Sequence, residues 1–127
     1  MKKVISALFV SAIVLTGCSA SNSAVSDLGA TEFVSQSQAA GVVVIDVRTP
    51  GEFSEGHLVN ALNIDVQSSS FQSDIASLDK TATYALYCRS GNRSGVAAEI
   101  MAEAGFTKIL NSQVGYVDLV QSGAIPA

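Results

Sequence analysis

Cysteine and arginine are the residue types in this chain best suited to covalent chemistry, and they meet in Cys88-Arg89-Ser90-Gly91-Asn92-Arg93-Ser94. A thiol attacks only as thiolate, and its pKa falls beside cations and at helix N-termini. Upstream, Thr83-Tyr84-Ala85-Leu86-Tyr87 is an apolar run with β-branched and aromatic residues, the pattern of a buried strand. Downstream, Ser94 to Ala104 is rich in helix formers. The cysteine therefore leaves a strand and enters a tight polar loop, with one glycine, that feeds a helix. Unpartnered N–H groups at a helix start carry partial positive charge, and such a loop cradles an anion. Arg89 and Arg93 add two full charges. The opposing reading is a buried structural cysteine. Arg89, Ser90 and Asn92 are not core residues, so the loop reads as presenting an activated thiol.

A second polar group closes the strongest strand signal, Val42 to Val47, which is apolar on both faces as a central parallel strand requires. It ends in Asp46-Val47-Arg48, and Thr49-Pro50-Gly51 breaks it. Glu52 to Glu55 forms one helical turn closed by Gly56, and the only histidine, His57, follows. These residues read as supports. Arg48 and Glu52 pair with each other or hold the loop, and Asp46 stands behind them. His57 is a structural hydrogen-bonding residue, because a thiolate made by the cradle needs no base. Arg93 divides between an ion pair to Asp46 or Glu52 and contact with a substrate. One histidine and one thiol in the domain point to no metal site, and no cofactor is implied.

The remaining elements must position these groups. Thr31 to Gln36 reads as a short helix with Thr31 as N-cap. His57 to Ile64 ends in a short strand, and Phe71, Ile75 and Leu78 share one helical face. Gly105 caps the helix after the cysteine loop. Phe106 to Leu110 is a last strand, and Val114 to Gln121 a last helix. Strands alternate with helices, giving an α/β domain with a mostly parallel sheet, whose sites form at the carboxyl ends of strands. Asp46–Arg48 and Cys88 lie at two such ends.

The chain has 127 residues, 48% of them hydrophobic, no tryptophan and a net charge of −4, enough for one domain. It has no basic stripe, which argues against nucleic acid as a partner. The other cysteine, Cys18, has a different context. Met1-Lys2-Lys3 is a basic start, Val4 to Leu15 is an apolar run, and Leu15-Thr16-Gly17-Cys18 follows. The run is too short for a membrane span. The four residues resemble the lipobox of bacterial lipoproteins. That resemblance implies a signal peptide over 1–17, a lipidated Cys18 and an anchor of two or three acyl chains, enough for stable attachment. Ser19 in place of aspartate implies the periplasmic face of the outer membrane, within the cell envelope. Residues 18–27, small and polar, read as the lipidated cysteine and a flexible tether, and 28–127 as the globular domain.

Asp46 to Ile64 and Cys88 to Ser94 together resemble the single-domain rhodanese family of sulfurtransferases. The resemblance implies a five-stranded, mostly parallel sheet with helices on both faces. Departures fall at Asn60, where the family often has glycine, and at Val114-Gly115 and Leu119, where it often has a glycine pair and a tryptophan. By the same resemblance, Cys88 takes the outer sulfur of a small anionic donor such as thiosulfate as a persulfide. It then passes that sulfur to a thiol, cyanide or protein acceptor. The N–H groups of Arg89, Ser90, Gly91, Asn92, Arg93 and Ser94 would cradle the sulfur, and Arg89 and Arg93 would hold the donor. Phosphatases and some arsenate reductases use a similar cradle spaced Cys-x5-Arg. Here Arg93 makes Cys-x4-Arg and Ser94 takes the x5 position, a smaller ring suited to one sulfur. The alternative from another class is a protein-binding or sulfur-sensing module.

Overall fold

The structure, a computed structural model, describes residues 23–127. The expected signal peptide, Cys18 and the first part of the expected tether lie outside the described residues. Five parallel strands form one sheet: β1 (Val25–Leu28), β2 (Val42–Asp46), β3 (Leu62–Asn63), β4 (Thr83–Tyr87) and β5 (Lys108–Ser112), in the spatial order β1-β5-β4-β2-β3. The helices between them are α1 (Ala30–Ser37), α2 (Pro50–Glu55), α3 (Phe71–Ala76), α4 (Asn92–Glu103) and α5 (Tyr116–Gln121).

Side chains alternate along a strand, so β4 serves both faces. Tyr84, Leu86 and Cys88 join Phe71, Ile75, Ala97, Met101 and Phe106 on the α3/α4 side. Ala85 and Tyr87 join Phe33, Leu58 and Leu119 on the α1/α5 side. The register pairs Val42 with Thr83 and Asp46 with Tyr87. The two strands thus end level, and the loops carrying Arg48 and Cys88 leave the sheet side by side.

The sheet begins earlier than the sequence suggests. Val25, Ser26 and Asp27, read as tether, belong to β1, an edge strand with only Leu28 buried. Pairing to β5 makes it a strand, not propensity. The N-cap of α1 is Gly29, not Thr31. Helix α4 starts at Asn92, two residues before the expected Ser94, so Asn92 and Arg93 lie in its first turn. Strand β5 is shifted two residues towards the C-terminus, with Phe106 buried ahead of it. Asn60 sits at φ 61°, a left-handed conformation that asparagine tolerates better than most residues.

Candidate active site

Cys88 is the first residue after β4 and is fully buried. Its Sγ accepts a hydrogen bond from the Gly91 N–H at 3.1 Å, and Ser94 Oγ stands 3.6 Å away. Ser94 is itself buried, and its hydroxyl also reaches the carbonyls of Gly91 (3.1 Å) and Ser112 (3.2 Å). Burial pushes the Cys88 thiol up, but the N–H of Ser94, the N–H of Ser90, the Ser94 hydroxyl and the Gly91 N–H together hold it below the ordinary thiol value. The cradle therefore stabilises thiolate by directed hydrogen bonds.

The loop closes that tightly because two glycines permit it. Gly91, the N-cap of α4, has φ +94°, and a Cβ there would lie 2.5 Å from the Gln113 carbonyl oxygen. Gly115 lies against the Arg89 carbonyl, which any Cβ would overlap. The Tyr116 N–H donates to the Cys88 carbonyl at 3.0 Å. The loop after β5 thus clamps the loop after β4. Of the clamp, Val114-Gly115 is visible in the sequence only as a departure from the familiar glycine pair.

Arg93 donates twice to Glu52, Nη1 to Oε1 at 2.7 Å and Nη2 to Oε2 at 2.9 Å. Its hydrogen bond is the main reason the Glu52 carboxyl is held down at about 2. Glu52 is fixed at its other end as well. Thr49 caps α2, accepting from the Glu52 N–H at 3.3 Å and donating to Oε1 at 3.1 Å. Thr49-Pro50-Gly51, read as a strand breaker, also starts α2, with Thr49 as N-cap and proline at the first helical position.

Arg48 does not pair with Glu52. It binds Asp46 through Nε (2.9 Å) and Nη2 (2.7 Å), and Nη2 also donates to the Gly56 carbonyl at 2.6 Å. Register explains the choice: the Asp46 carboxylate is buried two residues away and needs a cation, whereas Glu52 already has Arg93. The Arg48 guanidinium lies 4.6 Å from the Tyr116 ring centroid and 5.7 Å from that of Tyr87. The Tyr87 hydroxyl donates to Asp46 Oδ2 at 2.8 Å and accepts from the Leu58 N–H at 2.9 Å. Asn63 Nδ2 donates to the carbonyls of Asp46 and Arg48. Tyr87, Tyr116 and Asn63 have no chemical signature in the sequence; only the fold brings them to the Asp46–Arg48 pair. His57 stacks on Phe53 with ring centroids 3.6 Å apart, and its Nδ1 lies 2.9 Å from the Phe53 carbonyl oxygen.

Arg89, Ser90 and Asn92 are exposed. Arg89 lines a cleft of about 340 Å³ together with Arg48, Glu52, Glu55, Gly56, Tyr116 and Val117. The structure thus gathers every residue singled out from 46 to 57 and from 88 to 94 at one end of the sheet. Of the two loop arginines, only Arg89 has no ion pair among the described residues.

Known proteins resemble this chain in sequence and fold. Thiosulfate sulfurtransferase PspE of Escherichia coli is 37% identical over 68 residues, 54% of this chain and 65% of PspE. The match therefore spans slightly under two thirds of that relative. Thiosulfate sulfurtransferase GlpE of Pseudomonas aeruginosa is 32% identical over 87 residues, 68% of this chain and 77% of GlpE. A rhodanese-related protein of Thermoplasma volcanium superimposes with a TM-score of 0.69 at 26% identity, over 80% of this chain and 96% of its own. Residues 29–122, from the start of α1 to the end of α5, match the rhodanese-like domain, and with the parallel sheet and cysteine loop already in place, the chain belongs to that family.

Proposed function

We propose that the chain is a sulfurtransferase that carries sulfane sulfur on Cys88. The observation that carries the reading is the convergence of the Ser90, Gly91 and Ser94 donors on one buried sulfur. The Cys88 thiolate attacks the outer sulfur of a donor such as thiosulfate. The donor's S–S bond breaks, sulfite leaves with the bonding pair, and a persulfide remains on Cys88. The same N–H groups oppose the persulfide's negative charge. An acceptor thiolate or cyanide then attacks the outer sulfur, and Cys88 leaves as thiolate. Arg89 is the loop cation free to attract an anionic donor. Arg93 acts indirectly, tying the first turn of α4 to α2 through Glu52. That tie weighs against phosphate-ester chemistry, which needs a guanidinium over the nucleophile. We also propose that Cys18 anchors the protein by lipid to the periplasmic face of the outer membrane, with the Leu15–Cys18 motif as support.

Incubation with thiosulfate followed by intact mass measurement tests the chemistry. Wild type should gain one sulfur atom and Cys88→Ser none, and cyanide should discharge the wild-type adduct as thiocyanate. Wild type that gains no sulfur and forms no thiocyanate would end this reading.

A further inference from the structure

The cleft beside the loop holds more charge than an inorganic donor needs. Arg48 is 5% exposed, and its Nε and Nη2 are taken by Asp46 and Gly56. Its third nitrogen, Nη1, makes no hydrogen bond among the described residues. Among the described residues, Asn111 Oδ1 is the only buried side-chain polar atom without a partner. Arg48 Nη1 therefore keeps some access to solvent, and Arg48 is one of the residues that line the cleft. On the same walls Arg89 and Glu55 are exposed, and neither makes an ion pair among the described residues. The Tyr116 ring lies under the Arg48 guanidinium and forms another wall. One small cleft thus offers cationic hydrogen-bond donors (Arg48 and Arg89) and a separate free carboxylate (Glu55). Arg89 directly follows the nucleophile.

We propose that this cleft seats the sulfur acceptor, and that the acceptor is a small amino-acid thiol with a free carboxylate and a free ammonium. The inference rests on the sulfur-carrier reading of Cys88. Thiosulfate has only negative charge and makes no use of Glu55. A zwitterion uses both ends: its carboxylate meets Arg89 and Arg48 Nη1, and its ammonium meets Glu55. The volume of about 340 Å³ lies at the small end of ligand pockets, sized for an amino acid. Transfer is balanced without any further reagent. The acceptor's thiolate attacks the outer sulfur of the Cys88 persulfide, forming a new S–S bond. The bond to Sγ breaks, Cys88 keeps the electron pair as thiolate, and the acceptor leaves as its persulfide. The proton lost from the acceptor thiol ends on the transferred sulfur.

The test separates loading from discharge. The full chain is loaded with thiosulfate, and the added sulfur is confirmed by intact mass; failure here overturns the carrier reading itself, and the acceptor proposal with it. The loaded protein is then discharged by L-cysteine, by N-acetylcysteine (carboxylate only) and by cysteamine (ammonium only). Ratios of rates are compared between wild type and variants, so intrinsic thiol reactivity cancels. Glu55→Gln should lower the cysteine to N-acetylcysteine ratio by roughly two- to fivefold, the worth of one exposed ion pair. Arg89→Gln should lower the cysteine to cysteamine ratio by a similar roughly two- to fivefold factor. Ratios that stay the same in both variants overturn the cleft as the acceptor site.

Discussion

Glu52 stays charged down to a pH of about 2, chiefly because Arg93 donates to it. A carboxyl whose folded pKa lies below its unfolded value adds stability that is complete above the unfolded value, 4.5, and is lost as pH falls towards 2. Glu52→Gln should therefore cost about 1 kcal/mol at neutral pH, the upper end for a partly exposed pair. Urea unfolding measured from pH 7 down to pH 2 should show the gap between wild type and variant closing below pH 4.5. A gap that is constant across that range would mean the pair contributes nothing through charge. At this scale the sequence was informative about identity and less so about pairing. Cys88, Arg93 and Glu52 stand out by type and spacing. The split of Asp46 to Arg48 and Glu52 to Arg93 depends on which carboxylate the sheet buries and which one α2 carries towards α4.

The site is made by two loops that touch, and its precision is a property of the strands that end beneath them. Gly91 and Gly115 leave room for Gln113 and Arg89 carbonyls that no side chain would tolerate. Gly115→Ala should lower melting temperature, with a stability cost of roughly 1–3 kcal/mol for overpacking. Thiosulfate loading should slow by on the order of 100-fold, because a displacement near 1 Å is enough to disarm a nucleophile. Gly51→Ala, inside α2 and with only Thr49 Oγ1 nearby at 4.0 Å, should leave loading intact and add about 0.5–1 kcal/mol through helix propensity. Thermal unfolding with the intact-mass assay checks both. Strands β2 and β4 were legible because both of their faces are apolar. β1 was not, since a short polar edge strand carries no period and is held by β5. The start of α4 was hidden for a related reason: the Ser90–Arg93 stretch looks like loop until Gly91 adopts a left-handed turn.

For the whole molecule, the proposed lipid anchor at Cys18 rests on the Leu15–Cys18 motif. An anchor of two or three acyl chains binds membranes stably where one is marginal. Cys18→Ala should move the protein from the membrane fraction to the soluble fraction of lysed cells. It should leave thiosulfate loading at Cys88 unchanged when that protein is assayed. Protein that stays with the membrane overturns the anchor.

The alternation of strands and helices, the thiol at a strand end and the loop one residue shorter than Cys-x5-Arg are all local facts. Period, propensity and spacing are written along the chain, so these were readable from it. The donors that converge on Sγ, the Gly115 clamp, the capture of Arg93 by Glu52 and the gathering of Arg48, Arg89 and Glu55 around one cleft are not local. Of the cleft charges only Arg89 and Glu55 are without an ion pair among the described residues, since Arg48 is held by Asp46. These contacts join residues up to 41 positions apart, and their distances come from the register of β2 against β4 and from the packing of two loops. Hydrogen bonds and ion pairs act over a few ångströms, so which residues pair is settled only once the sheet has set those distances.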